Sequence, residues 1–227
     1  MGYSNLSRLK DIRKANRRDR KKIRFSIIFL AILWLAEAIG LIYKPTVDLA
    51  KEMFPFILLL SAVILFYFHR DWRSRFYNFM LIVLLAIMII HLLGVHLGFV
   101  FGRYEFGQTL GIKIFKIPLI IGLFWLIVIY TSGMIAYKMR VQKWKKAFFG
   151  ALLVLVLDIL LEPVAMRFDL WSWATVDVPL RNYFTWFIIS FVILYFFYVA
   201  KFYKSNRVAT ALYIILLIFF SIINFYF

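Results

Sequence analysis

Residues 147–165, AFFGALLVLVLDILLEPVA, form a long apolar run that is interrupted by two acidic residues, Asp158 and Glu162. A helix needs about 20 mostly apolar residues to cross a bilayer, and this segment meets that requirement. Acidic side chains are costly in hydrocarbon, so within a span they usually face the bundle interior or a cavity and mark functional sites. The segment therefore predicts a membrane-spanning helix with a functional pair of acids.

The rest of the chain shares this apolar character. Of its 227 residues, 64% are hydrophobic, and the mean hydropathy is +0.86, far above the range of soluble domains. We therefore predict an all-α integral membrane protein, a bundle of seven transmembrane helices. The predicted spans are residues 25–43, 54–68, 77–100, 117–138, 147–165, 182–203 and 208–227, and the short second span can be extended back to Thr46.

The distribution of positive charge predicts how these helices are oriented. The formal net charge is +17, and residues 8–24 alone contain ten Lys and Arg against two Asp. If the amino terminus is cytoplasmic, the cytoplasmic segments carry 21 Lys and Arg and the opposite segments carry seven. Cytoplasmic loops are enriched in these residues. The amino terminus is therefore predicted inside and the carboxyl terminus on the opposite side of the inner cell membrane.

The basic amino-terminal segment is better explained by lipid than by nucleic-acid binding. Residues 1–24 are predicted to be a cytoplasmic segment that rests on anionic headgroups, followed by a single transmembrane domain of residues 25–227. Residues 25–43 are too long for a signal-peptide core, and no small-residue cleavage site follows them. The first span is therefore expected to be retained.

Residues that bind metals are scarce in this chain. It has no cysteine and three histidines, so a disulfide, a thiolate nucleophile or an iron–sulfur cluster cannot form. His91 and His96 lie five positions apart, and no third strong ligand is evident beside them. We therefore predict neither a metal nor a cofactor, and we expect these histidines to bond to a neighbouring helix.

Asp158 and Glu162 are expected to act together, because side chains four positions apart share one face of a helix. Two neighbouring carboxyl groups in a low dielectric do not both ionise easily, so one should stay protonated beside a charged partner. Pro163 lacks an N–H and removes the helical partner of the Ile159 carbonyl. The helix is therefore expected to bend or end at the proline.

Further polar groups are predicted in the same half of the membrane as the acid pair. Glu37 lies beyond the middle of the first span, and His91 lies in the outer part of the third. The loops of residues 101–118 and 166–183 face that side and are rich in polar and aromatic residues. Glu37 is expected either to join the acid cluster or to bond to the third span.

The acids and the nearby aromatic residues also have purely structural explanations. The acids could form ion pairs with arginines, of which the candidates are Arg103, Arg167 and Arg181. Aromatic residues gather at membrane interfaces regardless of function, although they could instead line a cavity and stabilise a cation. The aromatic residues concerned are Trp171, Trp173, Tyr183 and Trp186.

A series of short motifs follows a fixed order over residues 90–190. The motifs are G-x-x-x-G-x-x-x-G-x-Y at residues 94–104, L-G at 110–111, I-P-L at 117–119, D-x-x-L-E-P-x-A at 158–165, W-x-W at 171–173 and V-P-x-x-N-Y-x-x-W at 178–186. In order and spacing they resemble the bacterial integral-membrane carotenoid-biosynthesis proteins, a family that includes the carotenoid hydratases acting on the lycopene end.

The resemblance implies an apolar carotenoid substrate, lycopene or a related acyclic polyene, whose terminal isopropylidene double bond gains water. Hydration requires a proton donor, a site that tolerates a tertiary cation and one positioned water. A buried neutral carboxylic acid is a suitable donor, and its partner carboxylate can accept a proton from the water. This chemistry needs no cofactor. The resemblance leaves open whether the chain works alone or in a complex with other carotenoid enzymes.

The candidate residues follow from this chemistry. Asp158 and Glu162 are the predicted acid–base pair, with no assignment of which is which, and Glu37 is the reserve catalytic candidate. The residues predicted to line the substrate pocket are Tyr104, Trp171, Trp173, Asn182, Trp186 and His91.

Three other classes of protein are weighed against a hydratase. A lycopene cyclase of the small integral-membrane type uses the same protonation, but a neighbouring alkene captures the cation. An ion- or proton-coupled carrier would use its intramembrane acids as a relay, yet these acids lie on one side and no inverted repeat is visible. A retinal photoreceptor requires a Schiff-base lysine, which residues 208–227 lack.

Overall fold

The computed structural model describes the backbone of residues 3–227 and the side chains of residues 19–227. The chain is 75% helical, and seven helices in this described part are long and apolar enough to cross a membrane, which confirms the predicted seven-helix fold. The helices are α1 (Tyr3–Ile42), α2 (Val47–Tyr67), α3 (Ser74–Leu97), α4 (Leu119–Tyr137), α5 (Lys143–Arg167), α6 (Leu180–Val199) and α7 (Arg207–Tyr226).

Helix α1 is longer than the predicted first span. It continues through residues 24 and 25, so the predicted division between a basic segment and a transmembrane domain falls inside a helix and stays a prediction. Its membrane-length part is Asp19–Ile42. The side chains of residues 1–18, which form most of the predicted lipid-binding segment of residues 1–24, lie outside the described residues.

Helix α4 forms the centre of the bundle. Its sequence contains no Asp, Glu, Lys or Arg, and residues on all of its faces are buried. A helix that is apolar all round is expected to be surrounded by other elements. Accordingly, α4 packs against α2, α3, α5, α6 and α7, while α1 packs against α2 and α7 at one side of the bundle.

Two loops that were predicted to face the same side are joined in a short antiparallel ribbon. Strand β1 (Tyr104–Phe106) follows α3, and it pairs with β4 (Trp171–Trp173), which follows α5. A second hairpin, β2 (Lys113–Ile114) and β3 (Ile117–Pro118), leads into α4. Side chains alternate between the two faces of a strand, so Tyr104 and Phe106 are buried while Glu105 between them is exposed. The ribbon therefore covers one end of the bundle with aromatic side chains.

At the opposite end of the bundle, Asp71 links the α2–α3 loop to the α6–α7 loop. Its carboxylate accepts hydrogen bonds from the Arg73 guanidinium and, at 2.7 Å, from the backbone N–H of Tyr203. The bond from Arg73, followed by the bond from Tyr203, lowers the pKa of Asp71 from its ordinary value of 3.8 to about 2. The carboxylate therefore stabilises the connection between the two loops in its charged form.

Asp71→Asn is expected to lower the thermal unfolding midpoint by a few degrees in neutral detergent. Because the pKa is lower in the folded state, the wild-type stabilisation is fully present above about pH 4 and is lost as the pH falls through about 2. The difference between the two proteins should therefore shrink as the pH falls toward 2. A midpoint difference that is unchanged between pH 6 and about pH 2 would contradict this account of Asp71.

Candidate functional site

Both acids of the predicted pair are buried in α5. Asp158 is 0% exposed and Glu162 is 1% exposed. The helix continues beyond Pro163 to Arg167, so it does not end at the proline as the sequence allowed. Val164 and Ala165, which follow the proline, are buried, and their packing holds the last turn in the helix although one backbone hydrogen bond is missing.

Glu162 accepts three hydrogen bonds from side-chain N–H groups. The indole N–H groups of Trp171 and Trp173 donate to its Oε2 atom, at 3.0 and 2.8 Å. The amide of Asn182 donates to its Oε1 atom at 2.8 Å. Both oxygens of this carboxyl group are thus held by neutral donors, which favour a negative charge on the group.

The amide of Asn182 connects the two acids. Its Nδ2 atom, besides donating to Glu162, lies 3.3 Å from Oδ2 of Asp158. Oδ1 of Asp158 is buried and has no hydrogen-bond partner in the described structure. Asp158 therefore has one long hydrogen bond where Glu162 has three shorter ones, and the two carboxyl groups differ strongly in their surroundings.

The arginines proposed as structural partners lie elsewhere. Arg167 packs its guanidinium over the ring of Phe227 at 4.2 Å, and Arg181 donates to the carbonyl of Phe99 at 2.8 Å. Among residues 19–227, the salt bridges are Asp19 with Arg70 and Asp71 with Arg73. The structure thus contradicts the ion-pair explanation, because neither acid of the pair is in such a bridge.

A small internal cavity adjoins Glu162. Its volume is about 20 Å³, and a cavity of about 10–15 Å³ measured in this way holds one water molecule. Asp158 is not part of the lining, so Glu162 is the acid of the pair that faces the cavity. The lining consists of His91, Phe101, Tyr104, Phe106, Trp125, Glu162, Trp171, Trp173, Asn182 and Trp186.

Stacked aromatic rings form one wall of the cavity. The ring of Trp186 stacks on Trp125 with centroids 3.7 Å apart, and on Phe101 with centroids 5.1 Å apart. The imidazole of His91 lies 5.6 Å from Trp186 on the same side. The stacked faces of Trp186 are covered by these neighbouring rings, and a positive charge in the cavity would be surrounded by aromatic side chains.

His91 is fixed by a residue of the ribbon and not by a neighbouring helix. Its Nδ1 atom lies 2.8 Å from the hydroxyl of Tyr104, and its buried Nε2 atom has no partner in the described structure. Burial raises the pKa of Tyr104, so the hydroxyl keeps its proton. Gly94, one turn after His91, makes this contact possible, because a Cβ atom there would lie 3.0 Å from the tyrosine hydroxyl.

The structure brings together eight of the nine predicted site residues. Asp158, Glu162 and the six predicted lining residues form one cluster around the cavity. Glu37 is buried in α1, but it does not line the cavity, and no hydrogen bond joins it to either acid within residues 19–227. His96 is exposed and bonds to the carbonyl of Leu92. No group of three potential metal ligands occurs among the described side chains.

Three lining residues were not predicted, namely Phe101, Phe106 and Trp125. Trp125 had a usable signal, because tryptophan prefers the membrane interface and this one lies inside the apolar helix α4. Phe101 and Phe106 lack such a signal. Their positions depend on the pairing of β1 with β4, which the sequence does not reveal.

These observations define an integral membrane protein: a seven-helix bundle with a buried carboxyl pair beneath an aromatic ribbon. A family model described as carotenoid biosynthesis protein matches residues 53–227, and the chain therefore belongs to this family. The match includes α3 to α7 and every residue of the cavity lining. Comparisons with curated proteins and with solved structures gave no match.

Proposed function

We propose that this protein adds water to the terminal isopropylidene double bond of lycopene or a related acyclic carotenoid. The observation on which the proposal depends is that Glu162, held by three N–H donors, faces an aromatic cavity with space for one water molecule. Membership in the carotenoid biosynthesis family supports an apolar polyene as the substrate.

The position of Glu162 supports it as the proton donor, because it is the acid of the pair that lines the cavity. Its three N–H donors disfavour the acid form at rest, which makes that form the stronger acid once it is protonated. No lysine or arginine lies within salt-bridge distance of either carboxyl group among residues 19–227, so ionising both would bury two unpaired charges. At least one transferable proton is therefore expected in the pair. Glu162 faces the cavity and Asp158 does not, so the proton that reaches the substrate is assigned to Glu162.

In the proposed first step, the O–H bond of Glu162 breaks and a C–H bond forms at the CH carbon of the double bond. The positive charge then lies on the carbon that carries the two methyl groups. The two indoles and the amide of Asn182 stabilise the negative charge that develops on the carboxyl group. Donors that already point at a developing charge lower the barrier without reorganisation.

In the proposed second step, the oxygen of the water bonds to the tertiary cation. The protonated adduct then loses a proton to the Glu162 carboxylate, which restores the acid and leaves a tertiary alcohol. The aromatic side chains that line the cavity stabilise the cation while it exists. Asp158 is a positioning residue in this scheme, because it contacts Asn182 and not the cavity.

The cavity must enlarge before a polyene end can enter it. Sites for small molecules usually have volumes of at least roughly 300 Å³. Tyr104 and Trp173 line both the cavity of about 20 Å³ and a surface hollow of about 300 Å³, which also includes the exposed ribbon residues Glu105 and Ser172. Trp173 is only partly buried, so rotation of its side chain would connect the two spaces. This connection is the proposed route for water or substrate.

The mass of the product tests the proposed reaction. The protein would be expressed in a host that accumulates lycopene, and the pigments would be separated and weighed by mass spectrometry. Hydration adds the mass of one water for each reacting end. A cyclised product of unchanged mass would show that the reaction is cyclisation and not hydration. Unmodified lycopene in the presence of inserted protein would contradict both reactions.

Trp171→Phe and Trp173→Phe are each expected to reduce turnover about tenfold, and the double variant about a hundredfold, because each change removes one donor from Oε2 of Glu162 and a hydrogen bond to a charged group contributes about 1.5–3 kcal/mol. Pigment conversion per amount of inserted protein is the measurement. Trp144→Phe, at the exposed start of α5, the helix that carries Glu162, is the matched control. Equal activity in the double variant and the control would show that the indoles do not stabilise the reacting carboxyl group.

A further inference from the structure

A basic hollow opens at the end of the bundle opposite the ribbon. Its volume is about 440 Å³, and it lies between α1, the α2–α3 loop and the start of α7. Four cationic residues line it, and they come from three separate segments of the chain. These residues are Arg20, Lys22, Arg70 and Arg207.

The charge around this hollow is unbalanced. The acid in the lining is Asp19, whose carboxylate lies 4.0 Å from Arg70. Arg20, Lys22 and Arg207 form no salt bridge with any described residue. Cations that face a common space repel one another, so a bound anion with several oxygens would relieve the repulsion and accept hydrogen bonds from more than one side chain.

The inner surface of the hollow is held in place by hydrogen bonds. The His69 ring bonds through Nδ1 to the Tyr130 hydroxyl at 2.8 Å and through Nε2 to the carbonyl of Asp71 at 3.0 Å. Asn206 donates to the carbonyl of Leu65 at 2.8 Å. His69 and Asn206 both line the hollow and are buried, so its floor is fixed while the cations at its rim are exposed.

One side of the hollow is apolar. Ile23, Tyr67 and Phe68 belong to the lining, and Tyr67 is the last residue of the membrane-spanning helix α2. The hollow therefore extends from the cationic rim to the edge of the apolar surface. This combination fits a phosphate group that is attached to an apolar chain, as in an anionic phospholipid.

We propose that this hollow is a binding site for a phosphate group, carried by an anionic membrane lipid. The site is separate from the Glu162 cavity and is independent of the reaction proposed there. A lipid bound here would join α1 to α2 and α7 at their common end. Its recognition depends on Arg70 and Arg207, which approach the hollow from two different segments.

The test uses the full chain in neutral detergent, titrated with short-chain phosphatidylglycerol, with phosphatidylcholine and with inorganic phosphate. Dissociation constants are measured by microscale thermophoresis for the wild type and for the double variant Arg70→Gln, Arg207→Gln. The matched control is Arg140→Gln, Lys145→Gln, which removes the same charge from exposed positions at the same end of the bundle, outside the hollow. The thermal unfolding midpoint of each variant verifies that it is folded.

The hollow variant is expected to bind phosphatidylglycerol about 10- to 30-fold more weakly than the wild type, and the control variant within about twofold of it. Stronger binding of phosphatidylglycerol than of inorganic phosphate identifies a lipid as the source. If inorganic phosphate binds as strongly as phosphatidylglycerol, and the hollow variant loses this binding, the hollow is a phosphate site whose ligand is soluble. Equal weakening in both variants, or no saturable binding in the wild type, would overturn the proposal.

Discussion

Glu162→Gln is expected to reduce carotenoid turnover by about a thousandfold. The amide keeps the size of the side chain, but it cannot release a proton to an alkene, and a positioned general acid contributes about 10²–10⁴-fold to a rate. Both oxygens of Glu162 accept hydrogen bonds from N–H groups in the structure. In Glu162→Gln, an NH₂ group replaces one of these oxygens and faces an N–H donor, to which it cannot bond. Conversion of lycopene by purified protein in vesicles, normalised to inserted protein, is the measurement.

The control for this variant is the same replacement at a different acid. Glu52→Gln changes an exposed residue of α2 that lines neither the cavity nor the surface hollow, and it should leave turnover within about twofold of the wild type, because an exposed position away from the site contributes little. Thermal unfolding of both variants verifies that the bundle is intact. Turnover by folded Glu162→Gln at the level of the control would remove Glu162 from the reaction.

Asn182→Leu is expected to have the second largest effect, a loss of turnover of about a hundredfold. The leucine has a similar size, but it removes the amide that donates to Oε1 of Glu162 and approaches Oδ2 of Asp158. A small misplacement of a reacting group costs about this factor. The unfolding midpoint should fall as well, because two buried carboxyl oxygens lose their donor.

Loss of stability alone must be separated from loss of positioning in this variant. Ser190→Ala, two turns further along α6, removes a buried hydroxyl that has no hydrogen-bond partner in the described structure, and it should leave turnover unchanged. Comparison at a temperature where both variants remain folded isolates the effect on the reaction. If folded Asn182→Leu retained the turnover of Ser190→Ala, the amide would have no part in orienting Glu162.

The helices were predictable because the transfer of apolar residues into hydrocarbon dominates their placement, and this term can be summed along the sequence. The boundary of α2 was less predictable. Asp48, Lys51 and Glu52 lie in its first turns and lower the local hydropathy, so the apolar run of the predicted span began at residue 54. The helix begins at Val47, in agreement with the extension back to Thr46 that the sequence allowed. Charged side chains at a helix end reach the polar interface, and a hydropathy profile does not distinguish this case from a loop.

Most members of the candidate site were predictable, the two acids from helix spacing and the residues on other segments from the motif resemblance, but their contacts were not. The spacing of Asp158 and Glu162 placed both acids on one face of α5. The position of Tyr104 and Phe106 beside Trp171 and Trp173 depends on the β1–β4 pairing, a contact between segments far apart in the chain. Glu37 was included because it is an acid within a predicted span, but hydropathy does not specify which helices are adjacent, and α1 packs against α2 and α7.

The most direct test of the proposed reaction is the fate of isotope labels. Purified protein in vesicles would be given lycopene in heavy-oxygen water and, separately, in deuterated water. We predict one heavy oxygen in each new tertiary alcohol and one deuterium on the adjacent carbon. Glu162→Gln is expected to form almost none of this labelled alcohol. A product that contains deuterium but no heavy oxygen, or an equal yield of labelled alcohol from Glu162→Gln, would contradict proton donation by this residue followed by water addition.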